Sequence, residues 1–214
     1  VALLARQDKI DIAVDLTGYT TNSRSGIFAC RAAPIQINYL GYPGTMGADF
    51  IDYIIADQNL IPTESQHFYS EKPIYMPHHY QAQDDTLLIS DETPSRGDLG
   101  LPQNGFVFCA INNPHKITPC EFNIWMRLLQ YVDGSVLWLL ESNKWVRANL
   151  VKEANARGVG TERLVFAKRT SHSKYLAQFR QADLFLDTFN YNAGATASNA
   201  LWAGLPVLTK LGKG

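Results

Sequence analysis

From residue 106 onward, the chain alternates short apolar runs with segments whose apolar residues recur at helical spacing. Apolar runs bounded by Gly, Pro and Asp are typical of strands buried on both faces, and the segments between them are typical of amphipathic helices. The predicted strands are 106–112, 135–141, 163–169, 183–188 and 206–209, and the predicted helices are 119–132, 144–158 and 173–182. This alternation predicts an α/β fold with a parallel, doubly wound sheet.

The first part of the chain predicts a second set of short strands, also buried on both faces. These runs are 10–16, 35–40, 53–57 and 73–77, with helical character only near 23–31 and 65–69. Residues 81–103 are polar and rich in Asp, Pro and Gly, which is typical of a linker. We therefore predict part of an N-terminal lobe over 1–85, a linker over 86–103 and a truncated C-terminal lobe over 104–214.

Composition excludes several classes of protein. The net charge is -1, so no global basic field recruits nucleic acid, and no apolar run is long enough to span a membrane. The 3 cysteines show neither a CxxC pair nor metal-ligand spacing, which fits reduced thiols in a cytoplasmic setting and predicts no metal site. Because the chain begins at Val1 and stops just after a predicted strand, we expect a fragment of a longer protein.

Three predicted strand ends carry residues suited to a ligand, since open parallel sheets bind ligands at the carboxyl ends of their strands. After the strand 106–112, Lys116 could neutralise a departing phosphate, or it could be a solvated loop lysine. Asn113 nearby could bind a ligand or cap a turn. After the strand 163–169, Arg169 could meet a phosphate, and Tyr175 could stack on a nucleobase or face the core.

The third strand end leads into a run of small residues. Gly194, Ala195 and Thr196 follow the strand 183–188 and open a predicted helix. A helix start offers free N–H groups and a positive dipole, and small residues let a phosphate approach the backbone. Close packing of the helix on the sheet explains the same residues equally well.

A loop in the first part has an unusual concentration of turn residues. Gly41, Pro43 and Gly44 lie in the stretch YLGYPGTMGADF, whose spacing matches neither a dinucleotide fingerprint nor a P-loop. The loop could border a cleft or serve as a structural connection.

The motifs together resemble a known family. The stretches APIQINYLGYPGTMGADFIDYIIAD, YSEKPIYMPH, NNPHKITP, SVLWLLE, ADLFLDT and ALWAGLPVLT are similar, in this order, to the catalytic region of the O-linked N-acetylglucosamine transferases, which include SPINDLY-type enzymes. The resemblance covers nearly the whole chain. It looks like a bacterial form, because the long insertion of animal enzymes is absent.

The resemblance implies a GT-B arrangement, in which two Rossmann-like lobes face a cleft and the C-terminal lobe holds the nucleotide sugar. It implies inverting transfer of a sugar, N-acetylglucosamine from UDP-GlcNAc in the usual case, to Ser or Thr hydroxyls of a protein. No cofactor or metal is expected, and tetratricopeptide repeats are expected upstream. Because the family's proposed catalytic histidines lie upstream of Val1, we expect the isolated chain to be inactive.

Family roles fall on the residues already singled out. Lys116 matches the lysine that contacts the donor diphosphate, residues 194–196 match the phosphate-binding helix start, and Thr170 and Tyr175 lie in the nucleoside-binding segment. The chain departs from the usual family residues at several of these positions. Asn113 stands where the family has Gln, His172 stands where animal members have Lys, and Tyr175 stands where the family has His. Gly194 and Ala195 replace a His and a Thr, and Asn199 replaces the Asp that holds the ribose.

These departures leave three interpretations open, since each lost charge-assisted hydrogen bond costs about 1.5–3 kcal/mol of binding. The leading interpretation is a transferase that uses UDP-GlcNAc. The second is a related enzyme that uses GDP-fucose, and the third is a non-catalytic family member with a degenerate donor site. A nucleotide-sugar epimerase shares the GT-B architecture, but the family motifs argue against it.

Overall fold

The computed structural model describes residues 1–212, which divide after Gln83 into two compact units. Each unit is built on its own parallel β-sheet. Residues 86–103, which the sequence predicts as a linker, are grouped with the second unit. There Leu101 is buried, and the Trp202 Nε1 donates to the Leu87 carbonyl at 3.1 Å.

The first unit contains four strands and two short helices. Its elements are α1 (Ala2–Gln7), β1 (Ile12–Asp15), α2 (Gly26–Ala29), β2 (Ile35–Asn38), β3 (Tyr53–Ala56), a 3₁₀ helix (Thr63–Phe68) and β4 (Lys72–Tyr75). The strands lie in the order β1-β2-β3-β4 and are all parallel. All four strands coincide with predicted apolar runs, whereas α1 was not predicted.

The prediction that every strand of the first part is buried on both faces is wrong for β1 and β4. Ile12 and Val14 of β1 are 51% and 42% exposed, and Ile74 of β4 is 39% exposed. Both strands lie at the edges of the sheet, so each has a neighbouring strand on one side only. The inner strands β2 and β3 hold the buried positions, among them Ile54 at 1% exposure.

The second unit alternates strands and helices as the sequence predicts. Its elements are β5 (Val107–Ala110), α3 (Pro119–Tyr131), β6 (Val136–Leu140), α4 (Lys144–Asn155), β7 (Leu164–Ala167), α5 (His172–Gln178), β8 (Leu184–Leu186), α6 (Ala195–Trp202) and β9 (Val207–Leu208). The parallel sheet has the order β7-β6-β5-β8-β9. The chain therefore reverses its direction of travel between β5 and β8, which defines the topological switch point.

The core of the second unit covers both faces of its sheet. Along β5, Phe108 and Ala110 pack into one apolar cluster with α3, while Val107 and Cys109 pack into another with Phe179 beyond α5. This alternation explains why β5 and β6 read as continuous apolar runs.

Local signals also fix where α3 begins. Thr118 is the N-cap, Pro119 is the first helical residue, and Glu121 completes a capping box with Thr118. The predicted start of this helix is confirmed. Within residues 1–212, no helix combines the length and the apolar character needed to cross a membrane.

Candidate functional site

A cavity of about 320 Å³ lies at the carboxyl ends of the strands in the second unit. Loops after β5 and β7 and the first turn of α6 form its walls. Five residues predicted from the sequence line it together: Asn113, Arg169, Thr170, Tyr175 and Thr196. Their stretches are separated by up to about eighty residues along the chain, so the doubly wound topology is what gathers them.

Two further polar residues of this wall, Lys168 and Gln178, were not predicted from the sequence. Gln178 lies three residues after Tyr175 on α5, so helical spacing places it on the same face of the helix. That spacing was a usable signal. Lys168 directly precedes Arg169, and both side chains are exposed in the loop after β7.

Tyr175 is both a wall of the cavity and part of the core. Its ring meets Phe179 edge-on, with ring centroids 4.8 Å apart, and packs against the apolar cluster that contains Cys109. Burial raises the pKa of the Tyr175 phenol, and a hydrogen bond with the Asn199 side chain opposes that rise. Asn199 of α6 therefore lies close to the Tyr175 hydroxyl, although Asn199 is not one of the residues that line the cavity.

The start of α6 is open, as the sequence predicts. Gly194 is the N-cap, and its carbonyl accepts the N–H groups of Ala197 and Ser198 at 3.0 and 3.2 Å. The N–H groups of Ala195 and Thr196 precede these first helical bonds and have no acceptor within the helix. The small side chains at Gly194 and Ala195 leave this backbone accessible, and both residues are exposed.

Lys116 does not behave as a solvated loop lysine. It ends the 3₁₀ turn after β5, and its Nζ donates to the Asn192 carbonyl at 3.2 Å. The ammonium also lies 4.5 Å from the centre of the Tyr191 ring. Burial lowers the pKa of Lys116, and the negative charge of Asp187 partly offsets this effect. The contact connects the ends of β5 and β8, the two strands of the switch point.

Asp187 was not predicted as a site residue, yet it is the most densely bonded side chain of this region. It is 3% exposed at the end of β8. Its Oδ1 accepts hydrogen bonds from the backbone N–H groups of Thr188 and Ala193 at 2.7 and 2.8 Å. An acidic residue at the end of an apolar strand was the available signal, but its partners were not visible in the sequence.

His172 lies at the margin of this arrangement. It is the first residue of α5 and is exposed, with its ring centre 6.0 Å from that of Tyr175. It does not line the cavity. Among residues 1–212, no group of three or more His, Cys, Asp or Glu side chains is arranged to hold a metal ion.

The loop with Gly41, Pro43 and Gly44 belongs to the first unit, so it does not line this cavity. A Cβ atom on Gly41 would lie 2.3 Å from the Thr17 carbonyl oxygen, which explains the glycine. The Asn38 side chain donates to the Gly44 carbonyl at 3.2 Å, and the Tyr69 hydroxyl donates to the Pro43 carbonyl at 3.2 Å. Contacts within its own unit therefore fix the loop.

Comparison with known proteins assigns the family. The sequence model of glycosyl transferase family 41 matches residues 2–93 and 86–213 of this chain. The chain belongs to this family. The resemblance expected from the motifs and the assignment to a glycosyltransferase are therefore confirmed.

Named relatives agree with this assignment. The chain is 36% identical over 214 residues to the Arabidopsis thaliana protein SEC, a probable UDP-N-acetylglucosamine–peptide N-acetylglucosaminyltransferase, covering 98% of this chain and 22% of SEC. It is 32% identical to SPINDLY of Eustoma exaltatum subsp. russellianum, which carries the same description, covering 99% of this chain and 23% of the relative. The chain thus spans about a fifth of these relatives.

A solved structure confirms the fold class. The O-GlcNAc transferase of Thermobaculum terrenum, solved as a mutant, matches with a TM-score of 0.85 at 29% identity. The match covers 99% of this chain and 40% of that protein. The α/β fold of the GT-B glycosyltransferase type, expected from the sequence, is therefore confirmed.

Proposed function

We propose that the whole protein transfers N-acetylglucosamine from UDP-GlcNAc to Ser or Thr hydroxyls of other proteins, and that the second unit binds the nucleotide sugar. The observation that carries this proposal is the cavity at the carboxyl ends of the strands, which Thr196 at the open start of α6 lines. Lys116 does not line the cavity, but it is anchored after β5 to the loop that leads into α6. The descriptions of the relatives support the donor and the protein acceptor.

The size of the cavity suits one part of the donor, the nucleoside, and leaves the diphosphate to bind outside it. Small-molecule sites usually span about 300–1,000 Å³, and this cavity of about 320 Å³ is at the lower end of that range. In our proposal it takes the nucleoside, with Tyr175 and Gln178 as one wall. The diphosphate then extends to the N–H groups of Ala195 and Thr196, which suit an anion.

Lys116 has the chemistry needed at the leaving group. When the acceptor hydroxyl attacks the anomeric carbon of the sugar and gives up its proton to a general base, the bond between that carbon and the diphosphate oxygen breaks, and negative charge develops on the released UDP. An ammonium has three donors, so Lys116 can keep its bond to the Asn192 carbonyl and also donate to a phosphate oxygen. A fixed positive charge at this point stabilises the transition state more than the ground state.

The family departures affect the side chains around the phosphate and leave the backbone donors in place. Gly194 and Ala195 supply no side-chain hydrogen bond, so the backbone N–H groups and Lys116 carry the phosphate contacts in this proposal. Asn199 already contacts Tyr175, and its amide retains capacity for a ribose hydroxyl.

A donor panel tests the proposal. The thermal unfolding midpoint of the chain is measured with UDP, UDP-GlcNAc, GDP and GDP-fucose. A ligand at 100 times its Kd adds about 2.7 kcal/mol of stability, which raises the midpoint of a domain of this size by about 5–10 °C. We expect this rise with UDP and UDP-GlcNAc. A preference for GDP would favour the fucose-type interpretation.

Variants separate a specific site from general binding. Lys116→Ala should abolish the shift caused by UDP. The matched control is Lys152→Ala, which removes an exposed lysine of α4 and should leave the shift unchanged. If neither the chain nor the full-length protein binds any nucleotide, the non-catalytic interpretation replaces ours.

A further inference from the structure

Asp187 occupies an unusual position for a carboxylate. It is buried beside a surface that, in the function proposed above, binds a diphosphate, and an unpaired negative charge there would repel that ligand. The donors around it resolve this conflict. Oδ1 accepts from Thr188 N, Ala193 N and the Asn112 side chain, the last at 3.3 Å. Oδ2 accepts from the Asn192 side chain at 3.2 Å and the Thr209 hydroxyl at 2.7 Å.

Five donors leave this carboxylate little capacity for a substrate. A carboxylate has about four lone-pair sites on its two oxygens, so the protein groups already fill them. Asp187 is also 3% exposed. These two facts argue against Asp187 as a base or as a direct ligand of the donor, and they point to a role through its partners.

The partners come from three separate strand ends. Asn112 follows β5, Thr209 follows β9, and Thr188, Asn192 and Ala193 belong to the loop between β8 and α6. Asp187 therefore joins the two sides of the switch point and fixes the loop that leads into the open helix start. Hydrogen bonds to charged groups are worth about twice neutral ones, so the set holds the loop firmly.

The same loop carries the contact of Lys116. The Asn192 side chain donates to Asp187, and the Asn192 carbonyl accepts from Lys116 Nζ. Asn192 thus links the buried anion, through its side chain, to the ammonium, through its backbone carbonyl. The negative charge of Asp187 also favours the protonated form of Lys116, against the effect of burial.

We infer that Asp187 is a positioning residue for the donor: it holds residues 188–194 in the conformation that presents the start of α6 and Lys116 to the diphosphate, without touching the donor itself. This inference rests on the proposed function for the identity of the donor. The loop conformation that it assigns to Asp187 does not depend on that function and is measurable without a ligand.

Three variants of the chain separate the bonds of Asp187 from its charge. Asp187→Ala removes all five acceptor contacts. Asp187→Asn keeps one oxygen for the Thr188 and Ala193 amides and removes the charge. Asp183→Asn is the matched control, because Asp183 lies at the opposite end of β8 and accepts from Val107 N at 2.7 Å and from Arg96 at 2.9 Å.

The first measurement is amide hydrogen exchange without ligand, with the stability of each variant measured by urea unfolding. We expect the Thr188 and Ala193 amides to lose protection in Asp187→Ala, to keep most of it in Asp187→Asn, and to be unaffected in Asp183→Asn. Unchanged protection in Asp187→Ala would overturn the inference. Equal loosening of the loop in Asp183→Asn would also overturn it, because a general loss of stability would then explain the effect.

The second measurement is UDP affinity by calorimetry. The loss of one hydrogen bond to a charged phosphate lowers affinity by about 10-fold or more, so we expect a displaced loop in Asp187→Ala to weaken UDP binding by at least that factor. Asp187→Asn should fall between Asp187→Ala and the wild type, a partial rescue that a purely structural role does not predict. Asp183→Asn should bind within about twofold of the wild type, since its contacts lie at the amino ends of the strands, opposite the cavity.

The outcomes distinguish the two proposals. A wild-type chain that binds UDP while Asp187→Ala binds it equally well would overturn the positioning role and leave the proposed function intact. If neither the wild-type chain nor the full-length protein binds UDP, the proposed function and the donor part of this inference are overturned, and the exchange measurement still decides whether Asp187 fixes the loop.

Discussion

Removing the hydroxyl of Tyr175 should have opposite effects on stability at neutral and at alkaline pH. At neutral pH, Tyr175→Phe removes the hydrogen bond with Asn199 and keeps the ring against Phe179. A neutral hydrogen bond contributes about 0.5–1.5 kcal/mol, so we expect a loss of about 1 kcal/mol.

Above pH 10 the stability difference between wild type and Tyr175→Phe shrinks, and at about pH 11 it changes sign. Burial raises the pKa of Tyr175 in the folded state from its ordinary value of 10.0. The unfolded chain therefore releases this proton first, and the contribution of Tyr175 is complete below pH 10 and falls as the pH rises. The fall is about 1.36 kcal/mol per pH unit, so the neutral-pH advantage of about 1 kcal/mol disappears near pH 11.

Urea unfolding at several pH values from 7 to 11 measures this crossing. All 4 tryptophans belong to the second unit, so intrinsic fluorescence follows the unit that contains Tyr175. The matched control is Tyr131→Phe, because Tyr131 is 85% exposed and should show no difference at either pH. A stability difference between Tyr175→Phe and the wild type that stays constant up to pH 11 would refute the conclusion that burial raises the pKa of Tyr175.

Two further predictions concern backbone approach and thiol reactivity. Gly41→Ala should destabilise the first unit by about 1–3 kcal/mol in urea unfolding, because the new Cβ would lie 2.3 Å from a backbone atom of Thr17. Gly26→Ala should not destabilise it, because a Cβ there has nothing within 4 Å. Equal effects of the two substitutions would contradict the close approach at Gly41. Cys109 should resist iodoacetamide in the native protein while Cys30 and Cys120 react, since burial raises the Cys109 thiol pKa to about 12 and the other two are exposed. Peptide mass spectrometry reads the result, and rapid native labelling of Cys109 would contradict it.

Local patterns predicted the elements of the second unit because each signal is contained in a few neighbouring residues. The continuous apolar run of β5 and the Thr118–Pro119 start of α3 both follow from residues adjacent in the sequence. The edge position of β1 does not, because it depends on which strands are neighbours in the sheet. The apolar alternation of an edge strand looks the same as that of an inner one.

The residues of the candidate site also differ in whether a local sequence pattern reveals them. The open start of α6 was visible as a run of small residues after a strand, and Lys116 was visible as a lysine after another. The role of Asp187 was not visible in the sequence, because its partner Asn112 is 75 residues away and its partner Thr209 is 22 residues away. A carboxylate whose role is to connect distant strand ends leaves no local pattern.

Chemical-shift mapping of the chain during a UDP titration shows whether the second unit carries the nucleotide site. We expect saturable shifts of the Ala195 and Thr196 amides and of residues 168–175, with the Lys116 side chain among the affected groups. Saturable shifts confined to residues 1–83, or no shifts at concentrations where UDP-GlcNAc supports transfer by the full-length protein, would contradict a nucleotide site in the second unit.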